Sequence, residues 1–284
     1  MHSYPKLRRI LPLLAVLLLA GTAAQAVELK ERFDRTVPLR PGSSLELRNV
    51  NGGVTVEAWD RNEVRIEAEK KVKAGSAEQA KKLMDQVRID VSPGAGGLRV
   101  ETKTPKRGDN GFFDWLFGNQ ASANVTYRLH VPRQVAADLE TVNGGIVLTG
   151  TRGKTRLATT NGGITVNGVQ GDLDLGTTNG GIEVNRSAGA VRAETTNGAI
   201  TAELTDFPDG DDLRFTTTNG GVSLRLPRDA RLSIDAGTTN GRIHTDLPVE
   251  GGQPGKRSLK GEVNGGGGTL YIRTTNGGVE INGS

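Results

Sequence analysis

Few residues here are placed to do chemistry. The 284-residue sequence contains no cysteine, which removes thiolate catalysis, disulfides and cysteine-ligated zinc together. Of its histidines, His2 falls in an N-terminal leader, which leaves His130 and His244. His244 and Asp246 are two apart, so on a strand they point the same way. A pair is no catalytic triad without a nucleophile and oxyanion donors. Glu183 and Glu203 fall on neighbouring repeats and could approach one another. Glycosidase chemistry wants two carboxyls about 5–10 Å apart across a cleft. The pattern implies no cleft, so solvated surface charge is the favoured reading. Calcium β-rolls carry Gly-Gly-x-Gly-x-Asp; here Ile or Val follows Gly-Gly and no Asp stands at the turn. No metal or cofactor is expected. A recurring outward Thr raises ice binding, but one Thr per repeat beside a corner is a poor match to a broad flat face.

The candidate for partner binding is aromatic. The segment 105–124 is polar and Gly-rich at its ends but carries Phe112, Phe113, Trp115, Leu116 and Phe117. Exposed aromatic patches usually mark contact sites, so one reading is a finger that docks a protein, a glycan or a membrane surface. The other is a plug folded back over the domain.

The elements that position these residues come from a repeat, Thr-Thr-Asn-Gly-Gly-Ile/Val. Its turn asparagines are Asn143, Asn161, Asn179, Asn197, Asn219, Asn240 and Asn276, with an earlier copy at Asn51. The first spacings are 18 residues, and the last, 36, reads as two coils holding a degenerate Asn264-Gly265. Apolar columns flank the turn in period-two alternation: Leu139, Leu157, Leu175, Ala193, Phe215, Ala236 and Ile272 before it, and Ile146, Ile164, Ile182, Ile200, Val222, Ile243 and Val279 after it. Alternate side chains on a strand face opposite ways, and Asn-Gly tolerates tight corners. A single copy reads as a hairpin. Many copies at near-constant spacing read as stacked coils that bury a shared core. The fold class is therefore all-β, a parallel β-solenoid of roughly 18-residue coils. The Thr two places before the turn should face inward and bond backbone at the corner; the Thr one place before should face outward. The Asn column should form an amide ladder, structural rather than functional.

Residues 44–58 match a coil. Residues 76–87 change period: Ser76 with Gln79 suits a capping box, and Ala80, Leu83, Met84 and Val87 form a helical stripe. This one inserted α-helix should cap the open end of the stack. The expected organisation is a leader over 1–26, an N-terminal β region over 27–135 with the helix and the aromatic loop, and the repeat solenoid over 136–284.

The leader has a basic start, Lys6, Arg8 and Arg9, then an apolar run from Ile10 to Ala20, then Ala24-Gln25-Ala26. This is a signal-peptide pattern cut after Ala26, too short for a transmembrane anchor. The product is expected to be exported, periplasmic or secreted. Removing the leader leaves 33 basic against 32 acidic residues, so a nucleic-acid partner, which needs a basic patch, is not expected. Lys70, Lys71 and Lys73 read as a solvated strand end. The sequence stops just after the strand Val279 to Asn282, and an uncovered edge there would invite self-association.

With the Thr-Thr-Asn-Gly-Gly units from Thr141 to Ile281, the Ala77-to-Val87 helix and the Tyr127-to-Pro132 strand in view, the chain resembles a bacterial domain-of-unknown-function family described as putative adhesins with β-strand repeats. The resemblance implies a solenoid-like fold and cell-envelope association, with envelope-stress links in some relatives and no catalytic residues to carry over. The expectation is an exported envelope protein with a non-catalytic adhesion, interaction or scaffolding role and an envelope protein or glycan as partner. The alternatives are a polysaccharide-acting β-helix enzyme and an envelope-stress accessory protein.

Overall fold

A computed structural model describes residues 26–94, 96–105, 121–208, 210–251 and 255–284. Two long sheets, one of 12 strands and one of 11, run the length of the molecule. Each coil contributes its strand before the Asn corner to the 12-stranded sheet and its strand after the corner to the 11-stranded sheet. Neighbouring coils pair in parallel with like residues opposed: Leu157 with Leu175, Thr159 with Thr177, Asn161 with Asn179. The alternation sets which residues face inward. Leu157, Leu175, Ile164, Ile182, Val166 and Val184 are buried between the sheets, each large one contributing about 1.5–3 kcal/mol of transfer free energy. A third, narrow side is made of single bridges joining Gln134, Arg152, Gln170 and Ala188, with Thr151, Val169 and Ser187 buried beneath.

The order of coils in the stack is not the order in the chain. At the C-terminal end, the strands Gly268–Asn276 and Val279–Gly283 lie between the Asn219 coil and the Asn240 coil. The gap of 36 residues is thus an excursion and return. The chain builds the outermost coil, Leu232–Asn240 with Ile243–Thr245, and then lays Ser258–Val263 antiparallel along it. It crosses under through Asn264, Gly265 and Gly266, all at positive φ, and fills the slot left behind. Asn264-Gly265 is therefore a crossover turn, with the Asn264 side chain donating to the carbonyls of Arg228 and Ala230 at 3.0 and 2.9 Å. Burial separates the two coils in the 11-stranded sheet. There the slotted coil buries Val279 and Ile281, whereas the outer coil leaves Ile243 and Thr245 half-buried at the end; in the 12-stranded sheet both coils bury their inward residues, Leu270 and Ile272 in one and Leu232, Ile234 and Ala236 in the other.

This overturns the expected C-terminal edge. Val279–Gly283 is paired on both sides, to Val222–Leu226 and to Ile243–Thr245. It has no free backbone row to offer a second copy.

The N-terminal end shows a similar rearrangement. The Asn51 coil, Ser44–Arg48 with Val54–Trp59, is flanked on one side by the Asn143 coil and on the other by a later segment, Gly97–Lys103 with Ser122–Pro132. Beyond these, Glu63–Ala74 and Val27–Pro38 extend the 11-stranded sheet in antiparallel fashion. Helix α1 (Ala77–Gln86) starts where Ser76 Oγ accepts from the Gln79 amide at 3.2 Å, and it buries Ala80, Leu83 and Met84 against those two end strands. Lys70 departs from the expected solvated strand end. It falls on the same inward parity as Val64, Ile66 and Ala68 and is buried, its ammonium 2.8 Å from Glu31 and donating to the Val87 carbonyl at 3.2 Å. Lys71 and Lys73 face outward and pair with Glu28.

Candidate functional site

The corner is the most regular surface feature. Its asparagines form one ladder in which each side-chain nitrogen donates to the oxygen of a neighbour. Starting at Asn51 and passing through Asn143, Asn161, Asn179, Asn197, Asn219, Asn276 and Asn240, the rungs measure 2.7 to 2.9 Å. A second array lies beneath it. Each inward Thr hydroxyl donates to a glycine carbonyl of the adjacent coil, as Thr159 does to Gly144 at 2.8 Å, Thr177 to Gly162 at 2.9 Å and Thr238 to Gly277 at 2.8 Å. The outward Thr160, Thr178, Thr196, Thr218, Thr239 and Thr275 are exposed. Each ladder amide from Asn143 to Asn240 gives one N–H to a neighbouring coil, so this ridge stabilises the stack, with the outward hydroxyls exposed beside it.

The acid–base candidates do not converge. Glu183 is opposite Thr201, and Glu203 is opposite Arg225; Glu183 is held by the Asn185 amide at 3.0 Å. The slotted coil puts Glu280 between Ser223 and His244, an adjacency that chain order hid. These three border an open trough of about 390 Å³ that also touches Ala199 and Thr201. Glu280 accepts from Asn282 at 2.9 Å rather than from His244, so no relay is formed. Tyr127 is buried with its hydroxyl 2.6 Å from Thr102 Oγ1, and burial pushes its phenol up to about 12, keeping it neutral. Among the described residues no three His, Asp or Glu side chains are grouped to hold a metal, and no helix is long and apolar enough to cross a membrane.

Asp246 has a structural task instead. It accepts from the Gly283 amide at 2.7 Å and from Arg228 at 3.1 Å. The Gly283 amide, helped by Arg228, holds its carboxyl below the usual carboxylate range. A depressed folded-state pKa gives stability that is present above the unfolded value, about 3.9, and lost as pH falls through the folded one. Hydrogen exchange at Gly283 and Ser284 should therefore accelerate as pH drops below about 4, beyond the intrinsic pH effect. Asp246→Asn should flatten that extra dependence; an unchanged profile would mean that the pair does not hold this end.

Phe112, Phe113, Trp115, Leu116 and Phe117 lie outside the described residues, but the foot of their segment is clear. Gly97–Lys103 and Ser122–Pro132 are the two strands of the coil stacked on the Asn51 coil. Where other coils turn through a short Asn-Gly corner, this one has residues 104–121. Asn51 ends the ladder at that foot. Its side chain donates to the Ala123 carbonyl at 3.1 Å, and its own carbonyl accepts from the Val125 amide at 2.7 Å.

Sequence reasoning did not find the cluster around His130. Its ring stacks on Trp59 with centroids 5.3 Å apart, Arg61 lies 4.8 Å from the Trp59 ring, and Glu57 and Glu67 stand 3.6 and 3.9 Å from the imidazole nitrogens. The missing signal was pairing: Glu57, His130 and Arg65 become neighbours only once three strands distant in sequence are in register.

The profile of the family described as Toastrack DUF4097 matches residues 118–282. No curated protein matches the chain. Among solved structures, a putative adhesin from Parabacteroides merdae ATCC 43184 is 11% identical with a TM-score of 0.41, covering 88% of this chain and 95% of that one. A putative adhesin from Bacteroides fragilis NCTC 9343 is 12% identical with a TM-score of 0.39, covering 89% and 97%. A putative lipid binding protein from Parabacteroides distasonis ATCC 8503 is 10% identical with a TM-score of 0.32, covering 89% and 96%. With more than half of its length matched by the family profile, the chain belongs to the Toastrack DUF4097 family.

Proposed function

We propose that this protein is exported through its N-terminal leader and acts in the cell envelope as a non-catalytic β-solenoid that binds an envelope protein or glycan. The reading assigns contact to Phe112, Phe113, Trp115, Leu116 and Phe117, and assigns the stack the role of a stiff support. The observation that carries it is the corner exchange. One coil replaces the short Asn-Gly corner with residues 104–121, so the segment that carries the aromatic residues is attached at one end of a ladder whose amides bond one another. Binding sites set on loops of a rigid scaffold are a common arrangement. The leader supports export, because a basic start, a short apolar run and Ala-Gln-Ala form a processing signal.

The test is a pull-down of purified residues 27–284 against envelope fractions, beside a variant with Phe112, Phe113, Trp115 and Phe117 changed to Ala. Saturable capture by the parent that is lost in a folded variant supports the reading. Capture retained by the variant moves the contact elsewhere on the stack. No capture by either protein leaves a structural role and makes the aromatic segment a packing element.

A further inference from the structure

We infer that the outermost corner, Asn240-Gly241, is a site of spontaneous covalent modification, at which the asparagine converts to aspartate or isoaspartate while the rest of the ladder is protected. The reaction needs no enzyme. The backbone nitrogen of the following glycine loses its proton and attacks the asparagine side-chain carbonyl carbon. A carbon–nitrogen bond forms, ammonia leaves, and a five-membered imide results. Water then opens the imide at either carbonyl, to aspartate or to isoaspartate. Each event consumes one water and releases one ammonia. Asn-Gly is the dipeptide most open to this attack, because glycine has no side chain to obstruct it, and this chain repeats it at the corner of most coils.

The stack withholds the nucleophile. The amides of Gly52, Gly144, Gly162, Gly180, Gly198 and Gly220 each donate to the asparagine carbonyl of the next coil, at 2.8 to 3.0 Å. In the same coils both polar atoms of the asparagine side-chain amide are engaged, along the ladder or, for the Asn51 nitrogen, by the Ala123 carbonyl. Attack there must wait for coils to separate. Protection fails at the far end. Among the described residues the amides of Gly277 and Gly241 meet no backbone acceptor. Asn276 is still clamped on both sides, donating to Asn219 at 2.7 Å and accepting from Asn240 at 2.9 Å. Among the described residues the Asn240 side chain makes only that one bond. Its oxygen accepts from no described residue, and the residue is exposed.

The other Asn-Gly pairs are held differently. Gly168 donates to the Asn185 carbonyl at 2.9 Å, and Gly283 donates to Asp246 at 2.7 Å. Asn264 has its side-chain nitrogen fixed on two carbonyls. Asn110-Gly111 lies outside the described residues. Conversion at Asn240 replaces a donor by a carboxylate facing the Asn276 oxygen, and isoaspartate also lengthens the main chain by one carbon. Both loosen the last coil and leave the others intact.

The full chain should be aged at mildly alkaline pH in oxygen-18 water and mapped by peptide mass spectrometry, with free peptides of each corner as references and Asn110 scored separately. The expected result is heavy-oxygen incorporation at Asn240, with the Asn143, Asn161, Asn179 and Asn197 corners at least about tenfold slower than their own peptides, since reaction there requires local opening. Equal rates at Asn240 and the interior corners would overturn the inference. So would an unmodified Asn240 whose free peptide reacts, or interior corners that react at peptide rates.

Discussion

Gly180→Ala should destabilise the protein by about 3 kcal/mol or more, while Gly181→Ala should change stability by less than about 0.5 kcal/mol. The two glycines are adjacent, yet they meet different surroundings. A methyl group on Gly180 would fall far inside contact distance of the Gly162 carbonyl, a rigid backbone atom. That oxygen already accepts from Thr177 at 2.9 Å. Relief requires prying two coils apart, which strains the Gly162-to-Asn179 and Ile164-to-Gly181 bonds, both 3.0 Å, each worth about 1 kcal/mol net. A methyl group on Gly181 would sit 3.3 Å from the Ala199 carbonyl, and the equivalent position of the next coil is already alanine, Ala199. Urea unfolding of the two variants checks the contrast. Comparable losses would mean that the corner can relax and that the first glycine is not sterically required.

Phe215→Ala should cost about 4 kcal/mol, within the range for truncating a buried aromatic. Phe215 is the one ring in its inward column and is fully buried. Its neighbours in register are Ala193 and Ile272, so the ring fills space that Ala193 leaves, and truncation puts two alanines side by side. Backbone hydrogen bonds on both sides of the strand prevent the sheets from closing over the cavity. Phe215→Leu, which keeps most of the volume, should cost less than about 1.5 kcal/mol. A loss below about 2 kcal/mol for the alanine variant would mean that the stack collapses into the gap more readily than its register implies.

The coil cross-section was legible in the sequence, because one corner solution is repeated and each repeat must meet the same steric demands. Thr177 and its equivalents share parity with buried leucines and end as donors to glycine carbonyls. Asn161 and its equivalents occupy a corner position whose side chains bond one another along the stack. Ser76, Ala80 and Leu83 mark a change of period that only a helix satisfies. The stacking order was not legible, since a repeat makes coils interchangeable. Asn219 is as compatible in register with Asn240 as with Asn276, and the two coils differ mainly after the corner, where Val279 and Ile281 are buried and Ile243 and Thr245 are half-buried. The coil formed by Gly97–Lys103 and Ser122–Pro132 was missed because its strands are separated by residues 104–121 in place of a short Thr-Asn-Gly corner. Lys70 could have been read correctly, since it falls on the apolar parity of its strand. Of the candidate site, composition singled out the aromatic residues, and the attachment of the segment's foot beside Asn51 required the pairing of strands far apart in the chain.

The central structural claim is that the strand Val279–Gly283 lies between Val222–Leu226 and Ile243–Thr245. The absence of native cysteines makes cross-linking a clean test. Ser223 and Glu280 are register partners, as are His244 and Glu280, whereas Ser223 and His244 are two strands apart, about 10 Å. A disulfide needs Cα atoms about 4.4–6.8 Å apart. Mild oxidation should therefore close the pair made by Ser223→Cys with Glu280→Cys and leave Ser223→Cys with His244→Cys open. Closure of the second pair with the first left open would show coils stacked in chain order and would contradict the account.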